Sequence, residues 1–123
     1  MESQQKIRIV VVEDNLMYQE MIKQQIPMIS YELHFFTKGE TCLESINVIS
    51  PDILVLDYNL DGEMTGLDTL KHIRFSYPDT FAILFSSEKG LNTAENYSEY
   101  GKFEYIEKKE NSFSHLKQVL ACI

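Results

Sequence analysis

Residues 53–62, Ile53-Leu54-Val55-Leu56-Asp57-Tyr58-Asn59-Leu60-Asp61-Gly62, decide how this chain is read. Four apolar residues run into a carboxylate, and a polar turn segment follows at once. Such a run reads as a strand buried on both faces. Its last residue puts the carboxylate at the carboxyl edge of a sheet, where open α/β folds keep their sites. The design recurs along the chain. Ile7-Arg8-Ile9-Val10-Val11-Val12 stops at Glu13-Asp14, and Phe81 to Phe85 stops at the hydroxyl of Ser86. Phe103 to Ile106 leads through Glu107 to the ammonium of Lys108. Three acids, a hydroxyl and a lysine at four strand ends predict a small phosphoryl-transfer centre.

The rest of the sequence sets these ends in one frame. Strand-like runs at 7–12, 31–36, 53–57, 81–86 and 103–107 alternate with helical periods. Tyr18, Met21, Ile22 and Ile26 fall on one helix face, as do Leu67, Leu70 and Ile73, and then Phe113, Leu116, Leu120 and Ile123. Cys42, Leu43 and Ile46 mark a shorter helix after Lys38-Gly39, and Leu91, Ala94 and Tyr97 mark another that ends near Gly101. Pro27, Pro51 and Pro78 fall in connections, as the missing amide donor requires. Five strands alternating with helices predict an α/β fold, a flavodoxin-like (βα)5 doubly wound parallel sheet with right-handed crossovers. The runs at 7–12, 53–57 and 81–86 are nearly continuous hydrophobics. Tyr31-Glu32-Leu33-His34-Phe35 alternates, and 103–107 carries Glu104 and Glu107. Three buried strands between two edges give the order 2-1-3-4-5, whose switch point lies between the first and third strands. Asp14 and Asp57 are expected to meet there.

Composition narrows the function. At 123 residues the chain is read as one domain spanning 1–123. Nineteen acidic against eleven basic residues leave a net charge of −8, which argues against direct binding to nucleic acid or anionic lipid. No stretch approaches the roughly 20 apolar residues of a membrane span, and the start lacks signal-peptide order. Cys42 and Cys122 have neither metal-ligand nor redox spacing, so they read as reduced thiols of a cytoplasmic protein. His34, His72 and His115 stand apart without metal spacing, and the five methionines read as core filler.

Clustered carboxylates at one sheet edge need a cation. Glu13, Asp14 and Asp57 supply hard oxygen ligands of the kind that suit Mg²⁺ (or Mn²⁺), and the backbone carbonyl of Asn59 is a further candidate ligand because its loop must turn over the site. In this scheme an aspartyl oxygen attacks phosphorus, Lys108 pairs with the phosphoryl oxygens or with Asp57, and Ser86 donates a hydrogen bond to the product. Asn15 or Asp14 also reads as the cap of the first helix.

These residues, in this order at these strand ends, resemble the receiver domain of two-component response regulators, over essentially the whole chain. The resemblance implies that Asp57 is the phosphoacceptor, supplied by the phosphohistidine of a histidine kinase or histidine phosphotransfer protein. It implies that Asp14 and Asp57 hold Mg²⁺ directly and that Glu13 acts mostly through water. Ser86 becomes the switch hydroxyl, Tyr105 the aromatic switch and Lys108 the phosphate-sensing lysine. Ser87 falls where a small residue leaves room for phosphate. Asn59 and Glu88 occupy positions that tune dephosphorylation, and an amide with a carboxylate there resembles CheY-type regulators, which implies a short-lived phosphorylated state. Output is expected through the face of the fourth helix, fifth strand and last helix, to a downstream protein target, from a monomer or a weak phosphorylation-dependent dimer. Tyr97, Tyr100 and Phe103 form either an exposed patch on that face or ordinary packing.

Two departures from the family pattern stand out. Lys109 follows Lys108 where receivers usually carry a cis proline, so either a trans bond or a strained loop is expected. The loop after Asp57 is one residue longer than the common form, with Asp61 where proline is usual and Gly66 starting the next helix. Two arrangements stay open: a single-domain regulator that signals by docking, with no output domain after residue 123, or a receiver cut from a longer regulator or hybrid kinase. The rival from another class is an aspartate-nucleophile phosphohydrolase of the haloacid-dehalogenase kind. That family needs a second Asp two residues after the first, where this chain has Asn59. A flavodoxin-like electron carrier lacks its phosphate loop here, and a degenerate receiver would not keep the full acidic set.

Overall fold

The computed structural model of the chain describes residues 5–87 and 100–123. Strand β1 (Ile7–Val12) leads to α1 (Leu16–Gln25), β2 (Tyr31–Phe36), α2 (Gly39–Ile49), β3 (Ile53–Leu56) and α3 (Gly66–Ser76). Strands β4 (Phe81–Ser86) and β5 (Glu104–Glu107) and a C-terminal helix (Ser112–Ala121) complete it. The five strands form one sheet in the order β2-β1-β3-β4-β5, parallel throughout. This is the expected doubly wound architecture. The helix expected around Leu91, Ala94 and Tyr97, together with Glu88, lies outside the described residues.

Strand side chains alternate between two apolar layers. Val10, Val12, Leu54, Leu56, Ala82 and Leu84 face α2 and α3, whereas Ile9, Val11, Ile53, Val55, Ile83 and Phe85 face α1 and the C-terminal helix. Because both faces are covered, the central strands read as continuous hydrophobics rather than alternating ones. Strands β2 and β5 sit at the edges, and no residue of β2 is fully buried.

Several expectations need adjusting. The third strand ends at Leu56 and the fifth begins at Glu104, so Asp57 and Phe103 stand just outside their strands. Phe103 packs into the layer on the α2 and α3 side and contributes to no exposed patch. Among the described residues no methionine is buried in the core: Met17 is 71% exposed and Met28 63%, while Ile, Val and Leu close the interior. Cys42 is buried, which pushes its thiol up to about 12, and Cys122 is exposed. The Lys108–Lys109 bond is trans, as are all peptide bonds among the described residues.

Candidate functional site

The ladder continues one step beyond the strands and thereby fixes the acidic residues. The amide of Glu13 donates to the Phe36 carbonyl at 2.8 Å, that of Asp57 to Val12 at 2.9 Å and that of Lys108 to Ser86 at 2.8 Å. Since Val12 pairs with Leu56, the residues that follow each, Glu13 and Asp57, leave the sheet side by side at its carboxyl edge. Asn15 caps α1, its Oδ1 accepting from the amides of Met17 (2.9 Å) and Tyr18 (3.2 Å), so Asp14 is released from the capping role.

Carboxylate oxygens of Glu13, Asp14 and Asp57 lie within 4.8 Å of one another. Lys108 enters this cluster from the end of β5. Its Nζ stands 2.7 Å from Oε1 of Glu13 and 2.8 Å from Oδ2 of Asp57, with all three side chains no more than 7% exposed. The expected Lys108–Asp57 contact is present, and Glu13 joins it as a second partner. The other Glu13 oxygen, Oε2, accepts from the Asn15 amide at 3.1 Å, and Gln19 Nε2 donates to the Glu13 carbonyl at 2.7 Å. Burial, reinforced by the Asp57 charge, raises the Glu13 carboxyl to about 7, against the hydrogen bond from Lys108 that works the other way. Burial alone would lower the Lys108 ammonium, but its hydrogen bonds to Asp57 and Glu13 prevail and hold it above the ordinary lysine value. Three carboxylates facing one ammonium leave an excess of negative charge. This oxygen-only donor set fits a hard divalent cation such as Mg²⁺ or Mn²⁺.

Other expected residues fall around this centre. Ser86 is fully buried at the end of β4 and Ser87 is exposed, which favours Ser86 as the inward hydroxyl. The Tyr105 hydroxyl donates to the Ser86 carbonyl at 3.5 Å, and its ring is half-buried against the layer on the α2 and α3 side. Asn59 is exposed in the loop after Asp57.

That loop is folded back on α2, and here sequence reasoning missed the residues that hold it. Glu40, in the first turn of α2, accepts from the Glu63 amide at 3.0 Å, and these backbone hydrogen bonds hold its carboxyl below the usual range. Gly62 crosses over the Glu40 carboxylate at φ +85°, and the backbone of Asp61 forms an isolated parallel β-bridge with that of Lys38. The loop is thus held against α2. Gly66, which does start α3, donates its amide to the Tyr58 carbonyl at 2.8 Å. A Cβ at Gly66 would lie 2.0 Å from the Asp57 carbonyl oxygen, so this close approach admits only glycine. A second missed set is aromatic. Lys108 Nζ lies 4.1 Å from the centroid of Tyr18 and 5.7 Å from that of Phe85. Tyr18 stacks on Phe113 at 5.8 Å, and Phe113 meets Phe85 edge-on at 5.4 Å.

Comparison with known proteins places the fold in a family. The family model for the response regulator receiver domain matches residues 9–121. A protein-glutamate methylesterase/protein-glutamine glutaminase of Bacillus subtilis is 34% identical over 116 residues, which cover 88% of this chain and 31% of that protein. The luminescence regulatory protein LuxO of Vibrio campbellii is 26% identical over 96 residues, 78% of this chain and 21% of LuxO. The chain therefore spans about a fifth to a third of the length of these curated relatives. Chemotaxis protein CheY4 of Vibrio cholerae superposes with a TM-score of 0.82 at 19% identity, covering 97% of this chain and all of CheY4. The receiver domain of a LuxO repressor from Vibrio parahaemolyticus gives 0.82 at 24% identity, over 96% of this chain and 89% of that domain. Neither the phosphohydrolase nor the electron-carrier reading gains support. With a family model matching nearly its whole length and a sheet order shared with these neighbours, the chain belongs to the response regulator receiver family, the CheY-like domains of two-component signalling.

Proposed function

We propose that residues 1–123 act as one receiver domain in which Asp57 accepts a phosphoryl group from the phosphohistidine of a histidine kinase or histidine phosphotransfer protein. The observation that carries this reading is the convergence of Glu13, Asp14 and Asp57 within 4.8 Å, with Lys108 at 2.8 Å from Asp57. An Asp57 carboxylate oxygen attacks phosphorus while the P–N bond of the donor breaks. Its electron pair returns to the imidazole, which takes up a proton from solvent. Glu13, Asp14, Asp57 and the backbone carbonyl of Asn59 would hold Mg²⁺, which when bound supplies neutralising charge to the phosphoryl oxygens. Lys108 transfers one hydrogen bond from Asp57 to a phosphoryl oxygen, and Ser86 donates another to the acyl phosphate. That shift biases Tyr105 and the face around β5 and the C-terminal helix between two populated states, and a downstream protein reads the difference. The domain works as a monomer or a weak phosphorylation-dependent dimer, without direct nucleic-acid or membrane contact. Its free Cys42 and Cys122 suit a reducing cytoplasm.

Exposure to acetyl phosphate with Mg²⁺ tests the reading. Mass spectrometry is expected to find one added phosphoryl group that Asp57→Ala abolishes; modification that survives in Asp57→Ala would remove Asp57 from the role. Asn59 and Glu88 set the lifetime of the product, so Asn59→Arg is expected to slow its hydrolysis. An unchanged decay rate would take that role from Asn59.

A further inference from the structure

Lys108 has three N–H donors and no acceptor, and two of its surroundings are already assigned: Glu13 at 2.7 Å and Asp57 at 2.8 Å. The third is the Tyr18 ring, whose centroid lies 4.1 Å from Nζ. This is well inside the roughly 6 Å over which an aromatic face attracts a cation. Tyr18 belongs to the first turn of α1, directly after the Asn15 cap, so the helix that follows Asp14 also delivers the ring. Its orientation is not left to chance. Phe113 of the C-terminal helix stacks against it at 5.8 Å with an interplanar angle of 22°, and Phe85 of β4 braces Phe113 edge-on while lying 5.7 Å from the same ammonium. The ammonium thus occupies a box with two carboxylates on one side and an aromatic wall on the other, 7% exposed.

We propose that Tyr18 is a positioning residue for phosphoryl transfer, acting through Lys108; this rests on the acceptor role proposed for Asp57. Attack by Asp57 requires that one Lys108 donor leave the carboxylate and meet a phosphoryl oxygen. The Glu13 carboxylate and the Tyr18 ring are then the two fixed points about which the ammonium turns. The ring face attracts the cation without competing for a phosphoryl oxygen, and it closes the route by which a flexible lysine would swing out to water. An aliphatic side chain of similar bulk would fill the space but exert no such attraction.

The experiment compares wild type, Tyr18→Leu and Tyr18→Phe, each folded by circular dichroism. Its first readout is the rate of phosphorylation by acetyl phosphate at saturating Mg²⁺. Tyr18→Leu is expected to lower the maximal rate about 5- to 30-fold, with the donor concentration for half-maximal rate little changed. Tyr18→Phe, which keeps the π face, is expected to stay within about twofold of wild type. The second readout needs no phosphorylation: the ¹⁵N–¹H ammonium correlation of Lys108 in the unmodified protein, observable only while that group is held and slow to exchange. It is expected in wild type and Tyr18→Phe and lost in Tyr18→Leu. A wild-type rate or a retained ammonium signal in Tyr18→Leu overturns the assignment. If Tyr18→Leu does not fold, Phe113→Leu, which removes the supporting ring, is expected to broaden the signal and slow the reaction less, and an unaltered signal there overturns it equally. Failure of wild type to take up phosphate would instead strike the acceptor role of Asp57, while the ammonium signal still decides what Tyr18 does.

Discussion

Lys108 holds Glu13 at 2.7 Å and Asp57 at 2.8 Å where all three side chains are almost closed to water. Two buried carboxylates sharing one ammonium cannot both be stabilised fully, and Glu13, the less exposed of the two acids, bears the consequence. Its carboxyl is raised from 4.5 to about 7, chiefly by burial and then by the neighbouring Asp57 charge. A carboxyl that titrates higher when folded than when unfolded binds its proton preferentially in the native state. Its contribution is therefore complete below the unfolded value and lost as pH rises through the folded one. The cation-free protein is accordingly expected to lose stability between about pH 4.5 and 7, by an amount on the order of 3 kcal/mol. Glu13→Gln should flatten this slope in denaturant titrations repeated across that range. A slope unchanged by the substitution would place the titration on another group. The excess acid that makes the site unstable alone is what a divalent cation would offset.

The segment between β3 and α3 is fastened to α2 and to the start of α3 by its backbone. Three contacts do this: the Glu40 carboxylate on the Glu63 amide, the backbone β-bridge between Lys38 and Asp61, and the Gly66 amide on the Tyr58 carbonyl. The Thr65 and Asp68 capping box then starts α3, with the Asp68 amide 3.1 Å from Thr65 Oγ1 and the Thr65 amide 3.0 Å from the Asp68 carboxylate. Gly66 matters most, because a methyl group there meets the Asp57 carbonyl, which is backbone and cannot swing aside. Gly66→Ala is expected to destabilise the fold by about 1–3 kcal/mol. Through displacement of the Asp57 carboxylate it should also slow phosphorylation by roughly ten- to a hundredfold. Both effects can be measured on one preparation by urea unfolding and acetyl phosphate kinetics; normal kinetics in a destabilised variant would show that the loop absorbs the shift before it reaches Asp57. Some of this element was legible beforehand and some was not. Asp57 announces itself because a charged residue ends an apolar run, and Gly66 because helices need starts. Glu40 gives no such signal: an acid in the first turn of a helix is ordinary, and its reach to Glu63 depends on how two separate helices pack.

Across the whole molecule the same division holds. The order of strands can be read from the contrast between the continuous runs of β1, β3 and β4 and the polar residues of β2 and β5, because burial on both faces leaves no room for charge. The Tyr18, Phe85 and Phe113 box cannot be read that way, since each aromatic is also a fair core residue of its own element. Exposed methionines mislead for the converse reason: an apolar residue carries no mark of which helix face it occupies. Arg74 is the other feature that only the assembled chain reveals. From α3 its Nε donates to the Tyr100 carbonyl at 2.7 Å and its Nη2 to Lys102 at 2.7 Å. Its Nη1 donates to Thr80 at 2.6 Å, Pro78 at 3.1 Å and Tyr77 at 3.2 Å. One planar fork therefore joins the turn before β4 to the turn before β5, closing the edge of the sheet opposite β2. A lysine ammonium lacks the spread to serve carbonyls on both sides. Arg74→Ala is expected to cost roughly 2–4 kcal/mol, the penalty of leaving several backbone acceptors without a charged donor. Arg74→Lys should recover only part of it. Since the lost bonds all lie at one edge, amide exchange should quicken first in β5, while β1 and β3 keep their protection. Uniform acceleration across all five strands would mean that Arg74 stabilises the fold as a whole rather than pinning the β5 edge.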